Sequence, residues 1–323
     1  MLRAAVTGAV MAAALAAPFL IASDFWLGFL ITVLLFAYMG MAWNVLGGYA
    51  GQFSFGHAVF FGAGAYTSSI LHVTFGLNPW IGLAFAALAG GGVGALIGFL
   101  SFRFGLRGSY FALITLAFAE VFRILANWVE FTGGGVGLYI PLKVHPANLQ
   151  FGTKAGYYYV ALALTLASLA IAAWLERSRF GAWLKAIREN EDAARALGID
   201  AFVCKLKAIM LSGAMTGVGG AFYAQYYLYI DPGIAFGPAV SVEILLVPII
   251  GGLGTALGPL LGSAVLQGAG ELARRVMGDV PGLNLVFYGL LLVVMVRFLP
   301  DGLIGLAARL RTLRRRAKVL ADA

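Results

Sequence analysis

Glu120, Arg123, Asn127 and Glu130 recur at spacings of 3, 4 and 3, which puts all four on one face if the segment is helical. Carboxylate, guanidinium and amide groups on one face can pair, pass a proton or hold a polar solute. The residues around them are almost wholly apolar (FALITLAFAEVFRILANWVE, 111–130). A charge at the centre of a membrane helix costs about 2.5–3.5 kcal/mol on insertion scales. Glu120 and Arg123 offset that cost by pairing one turn apart, and the stripe is expected to face the bundle interior or a water-filled path, never lipid. Two readings stay open: the stripe lines or gates a pathway, or it is a structural ion pair between helices. Other chemistry is sparse. His57, His72 and His145 are scattered, no HExxH occurs, and GQFSFG (51–56) is not G-x-S-x-G. Cys204 is alone, so no internal disulfide and no metal-ligand spacing exists. No catalytic or metal-binding residue is assigned, and an intramembrane enzyme is disfavoured.

Two further groups carry polarity into apolar surroundings. Asn44, Gln52, Ser54 and His57 lie among Gly47, Gly48, Gly51, Gly56, Gly62 and Gly64. Glycine lets helices approach closely or backbone unwind, and unwound backbone can meet a polar solute; plain tight packing is the alternative. In SVEILLVPIIGGLGTALGPLLG (241–262), Pro248, Gly251, Gly252, Gly254 and Pro259 oppose a continuous helix. The expectation is a short helix beginning near Glu243, a break, and a second helix returning to the same side. A faint echo links this break to the glycine-rich stretch at 47–64. GxxxG spacings at Gly94/Gly98, Gly213/Gly217 and Gly258/Gly262 suit close helix contacts, within this chain or with a partner.

The chain that must position these residues has 323 residues, 61% of them hydrophobic and 11% charged. Apolar runs near 20 residues match a hydrocarbon core about 30 Å thick, and they are too continuous for barrel strands. The class is an all-α, multi-pass transmembrane helix bundle forming one domain over 1–323. About 8–10 spans are expected: 4–22, 26–46, 53–75, 79–101, 109–130, 156–175, 208–229, a broken or re-entrant pair within 240–273, and 282–299. Residues 1–22 also read as a signal peptide; a retained first helix is the preferred reading. With Arg3 inside, alternation places 16 of the 22 basic residues in the cytoplasm, including the tail 300–323 and the segment 176–207. The loop 131–155 falls outside, and Arg274 with Arg275 is a mild exception. The net charge of +8 is thus an excess of Lys and Arg on the cytoplasmic side of a lipid bilayer, not a nucleic-acid footprint.

One segment is unlike the rest. KAIRENEDAARALGIDAFVCKLK (185–207) carries nine charges in 23 residues. A helix from about Trp183 to Leu197 would put Trp183, Ile187, Asn190, Ala194 and Leu197 on one face, with Lys185, Arg188, Glu189, Glu191, Asp192 and Arg195 mostly elsewhere. Gly198 suits a left-handed stop with Ile199 packing back, and Asp200 can cap the next helix. The segment reads either as a docking element across the base of the bundle or as a solvated loop.

Asp192-Ala193-Ala194-x-x-x-Gly198 resembles the EAA-x-x-x-G loop of ABC importer permeases, with Asp in place of Glu. AIRENEDAARALGI (186–199), NVLGGYAGQFSFGHAVFFGAGAY (44–66) and GGLGTALGPLLG (251–262) resemble the LivM-type permeases of branched-chain amino acid importers. The resemblance spans most of the chain. It implies that Ile187, Glu191, Asp192, Ala193, Ala194, Leu197 and Gly198 form a coupling helix seated in a cleft of an ATPase subunit. It also implies a LivH-like second permease, two ABC ATPases of LivG/LivF type, a periplasmic binding protein, and a bacterial inner-membrane location. No G-x-x-x-x-G-K-[ST] occurs, so this chain has no phosphate loop; ATP and Mg²⁺ would belong to the partners, and no cofactor is expected on this chain. Candidate pathway or gating residues are Asn44, Gln52, Ser54, His57, Glu120, Arg123, Asn127 and Glu243. The implied solute is a branched-chain or other apolar amino acid, with urea, short amides or aromatic acids as alternatives. An ion-coupled secondary transporter is the competing class.

Overall fold

The structure is a computed structural model that describes residues 12–21, 23–278, 283–299 and 302–306. It is a helical bundle, and among the described residues six helical stretches are long and apolar enough to cross a membrane: Asp24–Tyr49, Ala58–Phe75, Pro79–Arg103, Gly108–Trp128, Lys154–Arg177 and Ala201–Tyr227. We label the elements α1 (residues 12–20), α2 (Asp24–Asn44), α3 (Ala58–Phe75), α4 (Pro79–Arg103), α5 (Gly108–Trp128), α6 (Lys154–Arg177), α7 (Arg179–Glu189), α8 (Glu191–Ala196), α9 (Ala201–Tyr227), α10 (Pro232–Phe236), α11 (Pro238–Gly251), α12 (Gly258–Met277) and α13 (Leu283–Phe298). The first predicted span lies partly, and the basic tail from 307 wholly, outside the described residues.

The bundle has two distinct ends. One carries α7 and α8. The other carries the connection after α5, where Leu138–Tyr139 (β1) pairs antiparallel with Tyr229–Ile230 (β2), a small sheet that the apolar periodicity did not announce. α2 runs between these ends. At its start the Asp24 carbonyl accepts from Lys154 Nζ at 2.9 Å, and beyond its end Tyr49 Oη donates to Glu176 at 3.3 Å. Lys154 starts α6 and Glu176 lies at its end, so start meets start and end meets end, and the two helices run parallel.

α2 is the core of the bundle: every residue from Val33 to Asn44 is buried. Three neighbouring helices each donate a hydroxyl to its carbonyls. Ser263 of α12 bonds Val33 O at 2.7 Å, Thr165 of α6 bonds Leu34 O at 3.0 Å, and Ser212 of α9 bonds Ala42 O at 2.7 Å. Such interhelical bonds contribute roughly 0.6–2 kcal/mol each in bundles without a hydrophobic driving force. α4 and α9 pack closest. A Cβ at Gly213 would overlap Gly90 O, and one at Gly217 would overlap Ala86 O. The GxxxG spacing on α9 therefore serves a contact within this chain.

The predicted break after Ile250 is present, with a different geometry. α11 continues through Pro248 for 14 residues, about 21 Å of helix. Gly252 and Gly254 take φ of 131° and 70°, and α12 returns antiparallel. Gly251 abuts Gly258, Gly262 abuts Val247, and Gln267 bonds Glu243. α2 also ends irregularly, in a π-helical turn at Val45–Tyr49, and residues 51–56 are non-helical. The span predicted from residue 53 thus begins at Ala58.

Candidate functional site: a coupling element and an open helix face

The base of the bundle is built from α7 and α8. A single helix from Trp183 to Leu197 is corrected by the structure: it breaks at Asn190, which is extended (φ −159°, ψ 106°). Its side-chain Oδ1 accepts from the backbone N–H of Asp192 and Ala193 at 3.1 and 3.0 Å, and such an N-cap contributes about 1 kcal/mol. The buried face also differs. Gly181, Leu184, Ile187, Glu191 and Ala194 are buried, whereas Trp183, Asn190 and Leu197 are exposed, Leu197 at 81%. The reason is the break, which rotates α8 relative to α7 and turns Glu191 inward. Gly198 ends α8 at φ 83°; Ile199 N–H reaches back to Ala194 O, and Asp200 caps α9 through Val203 N–H at 3.0 Å.

Glu191 is the anchor of this element. Its carboxylate meets Lys205 Nζ at 3.0 and 3.1 Å, Arg195 at 2.7 Å and Arg107 at 3.2 Å. Lys205 is 1% exposed and lies 4.7 Å from the Phe102 ring centre. Arg107 also reaches Asp192 at 3.2 Å. The cluster ties α8 to the start of α9 through Lys205, to the end of α4 through Phe102, and to the start of α5 through Arg107. Sequence spacing placed Glu191 and Asp192 in the element but did not pair Glu191 with Lys205, 14 residues on, or with Arg107. Asp192, Ala193, Arg195, Ala196, Leu197 and Gly198 remain exposed. Beside them a cavity of about 370 Å³ is lined by Phe180, Trp183, Leu197, Gly198, Asp200 and Lys207 among others.

The eight candidate pathway residues fall in three places. Asn44 is buried and holds the α11–α12 turn, accepting from Gly254 N–H at 2.8 Å and donating to Thr255 O at 3.0 Å. Glu243 accepts from Gln267 and Tyr288 at 2.9 and 3.3 Å, between α11, α12 and α13. Gln52, Ser54 and His57 are buried; His57 Nε2 sits 2.8 Å from Ser212 Oγ. The unwound stretch 51–56 alternates, however, and its other face carries Phe53 and Phe55, both exposed. They line a cavity of about 440 Å³ with Gly108, Ser109, Ala112 and Leu113 of α5. Polar character drew attention to the buried side of this stretch; the open side is aromatic.

α5 carries the third place. Arg123 Nε donates to Glu120 Oε2 at 2.9 Å, and Asn127 donates to the Arg123 carbonyl at 2.8 Å. Glu130 is not on the helix, which ends at Trp128. Within this chain the stripe does not face the bundle interior: Glu120 and Asn127 are exposed, as are Leu113, Leu116, Ile124 and Trp128. Beside Glu120, a second cavity of about 420 Å³ is lined by Leu113, Leu116, Ala117, Ala119, Phe236 and Pro238. The open face of α5 is thus a mostly apolar track with one charged pair.

The family described as "Branched-chain amino acid transport system / permease component" matches residues 25–296. The high-affinity branched-chain amino acid transport system permease protein LivM of Salmonella typhimurium is 31% identical over 295 residues, covering 84% of this chain and 68% of that protein. LivH of Escherichia coli is 23% identical, covering 84% and 91%. A nucleoside ABC transporter permease, NupC of Lactococcus lactis, is 28% identical, covering 50% and 55%. No solved structure matches the chain. With its membrane-length helices, the match over most of its length and the LivM identity, the chain belongs to the branched-chain amino acid permease family, the multi-pass transport subunits, not enzymes, of ABC transporters.

Proposed function

We propose that this chain is one half of the translocation path of an ATP-driven importer in a bacterial inner membrane, passing branched-chain or similarly apolar amino acids delivered by a periplasmic binding protein. The observation that carries this is the open face of α5. A Glu–Arg pair on a membrane-length helix is costly against lipid, yet it is exposed on this chain. A LivH-like second permease placed against α5 removes that cost and closes the two apolar cavities into a path. Apolar walls with a single charged pair suit a small solute with an apolar side chain and charged backbone groups.

The drive comes from below. Two LivG/LivF-like ATPases carry the ATP and Mg²⁺, and the exposed edge of α8 seats in one of them. The buried charge cluster turns α8 into a lever: Arg107 passes its motion to α5 and Lys205 to α9. Copurification with candidate permease and ATPase partners, then reconstitution with the binding protein, tests this. The expected result is leucine-stimulated ATP hydrolysis and uptake that stops without the ATPases and survives an uncoupler. Uptake by this chain alone, or uptake abolished by the uncoupler, contradicts it and favours an ion-coupled carrier. The nucleoside permease among the relatives supports a second reading of the solute, so nucleosides, urea and short amides belong in the same assay as competitors.

A further inference from the structure

The two glycine-rich breaks, 210 residues apart in sequence, form one joint in space. Asn44, the last residue of α2, holds the α11–α12 turn with both ends of its amide. At Gly48, inside the π-helical turn, a Cβ would overlap Asn44 Oδ1 and lie 2.6 Å from Gly254 N. Arg188 of α7 meets this joint from below. Its Nη1 donates to Gly48 O at 2.8 Å, while its Nη2 is held at 2.9 Å by Glu189. A Cβ at Gly254 would lie 2.8 Å from the same Nη1. Gly51, at φ 67°, has room for no side chain because Arg188 Cγ would be 2.7 Å away. One guanidinium therefore touches both interrupted elements.

We infer that Arg188 is a positioning residue that delivers the displacement of α7–α8 to the α11–α12 hairpin, as a second output separate from the Glu191–Arg107 link to α5. The hairpin is stiff: Gly262 abuts the Val247 carbonyl and Gln267 bonds Glu243, so a push on its turn is carried to its far end. That end begins at Pro238, which with Phe236 lines the cavity beside Glu120. The π-helical turn is a hinge type often used at functional sites, and here it lies between the push and the hairpin. One stroke at the base thus moves both walls of the α5 cavity.

This inference rests on the reading of α7–α8 as the ATPase docking element. The test uses the full reconstituted complex in a C204A background. Arg188→Ala is expected to leave assembly and ATP hydrolysis in place while uptake per ATP falls about tenfold or more, the scale of a lost charged hydrogen bond. Arg188→Lys, which keeps one donor, should recover part of it. Spin labels at A182C and L257C should keep a constant separation between nucleotide-free and ATP-bound states in the parent, and a changing one in R188A. Parental uptake per ATP in R188A, with label separation unchanged between states, overturns the inference alone. Absence of ATP-driven uptake in the parent overturns the docking reading and this inference with it. If R188A does not assemble, the same two readouts on R188K decide: parental values overturn the inference, and intermediate values support it.

Discussion

α9 and α5 are both membrane-length apolar helices that start at the charged base, yet one is complete within the chain and the other is not. α9 is buried from Ala201 to Gln225 along a face of Gly, Ser, Thr and Ala, and α4 closes on it at backbone distance. Of its two lysines, Lys207 is exposed near the base and Lys205 is buried beside Glu191. α5 buries only Phe111, Ala112, Thr115, Ala119 and Ala126, and turns Glu120 and Asn127 outward. A helix whose buried charge is paired inside the chain belongs to the scaffold. One whose charged pair lies open at membrane depth calls for another surface, which the proposed second permease would supply.

The comparison can be broken most severely at the base. Glu191→Ala leaves Lys205 buried without its carboxylate, and removing one partner of a buried pair costs about 3–5 kcal/mol. The expected outcome is a large drop in thermal unfolding temperature in detergent, with no uptake in liposomes. Lys205→Met combined with Glu191→Gln should destabilise less than Glu191→Ala. Gly213→Val on α9 comes next, at about 1–3 kcal/mol, because an overpacked seam must shift backbone; it should lower the stability of this chain whether or not partners are present. On α5 the order reverses. Glu120→Ala or Arg123→Ala should hardly change the unfolding of the isolated chain but should weaken assembly with the second permease, and each single change should be worse than the double. Copurified partner measured by quantitative gels checks this. Leu197→Ala, at the exposed edge of α8, should weaken ATPase docking about tenfold if Leu197 is a buried anchor of that contact, read from titration of the ATPases onto the membrane subunits. Asn127→Ala should be the mildest, within about 0.5 kcal/mol in unfolding.

Much of this was legible in the chain because bilayer physics is strict. Apolar runs, charge asymmetry and the glycine–proline break gave the class and most helices. Gly198 and Asp200 marked the end of α8 and the start of α9 because a left-handed stop and a cap are local requirements. What stayed hidden was set by tertiary placement. The Asn190 break was missed because Asn sits acceptably on a helical face, and only its capping geometry separates α7 from α8. Glu191 looked like one solvated charge among several, since its partners Arg107 and Lys205 lie on other elements. The polar side chains of 51–56 suggested a path, whereas the open face is Phe53 and Phe55. The stripe on α5 was found by periodicity, but which way it faces depends on where α5 sits in the bundle. That the two glycine-rich breaks touch, through Asn44 and Gly48, was not announced by their faint likeness in sequence.

The most direct measurement places a photo-crosslinking amino acid at Leu116, one turn from Glu120 on the open face of α5, in the intact complex in its membrane. The account predicts a dominant adduct with a second permease chain, whose yield changes when ATP is added. Adducts with lipid alone, unchanged by ATP, would contradict it.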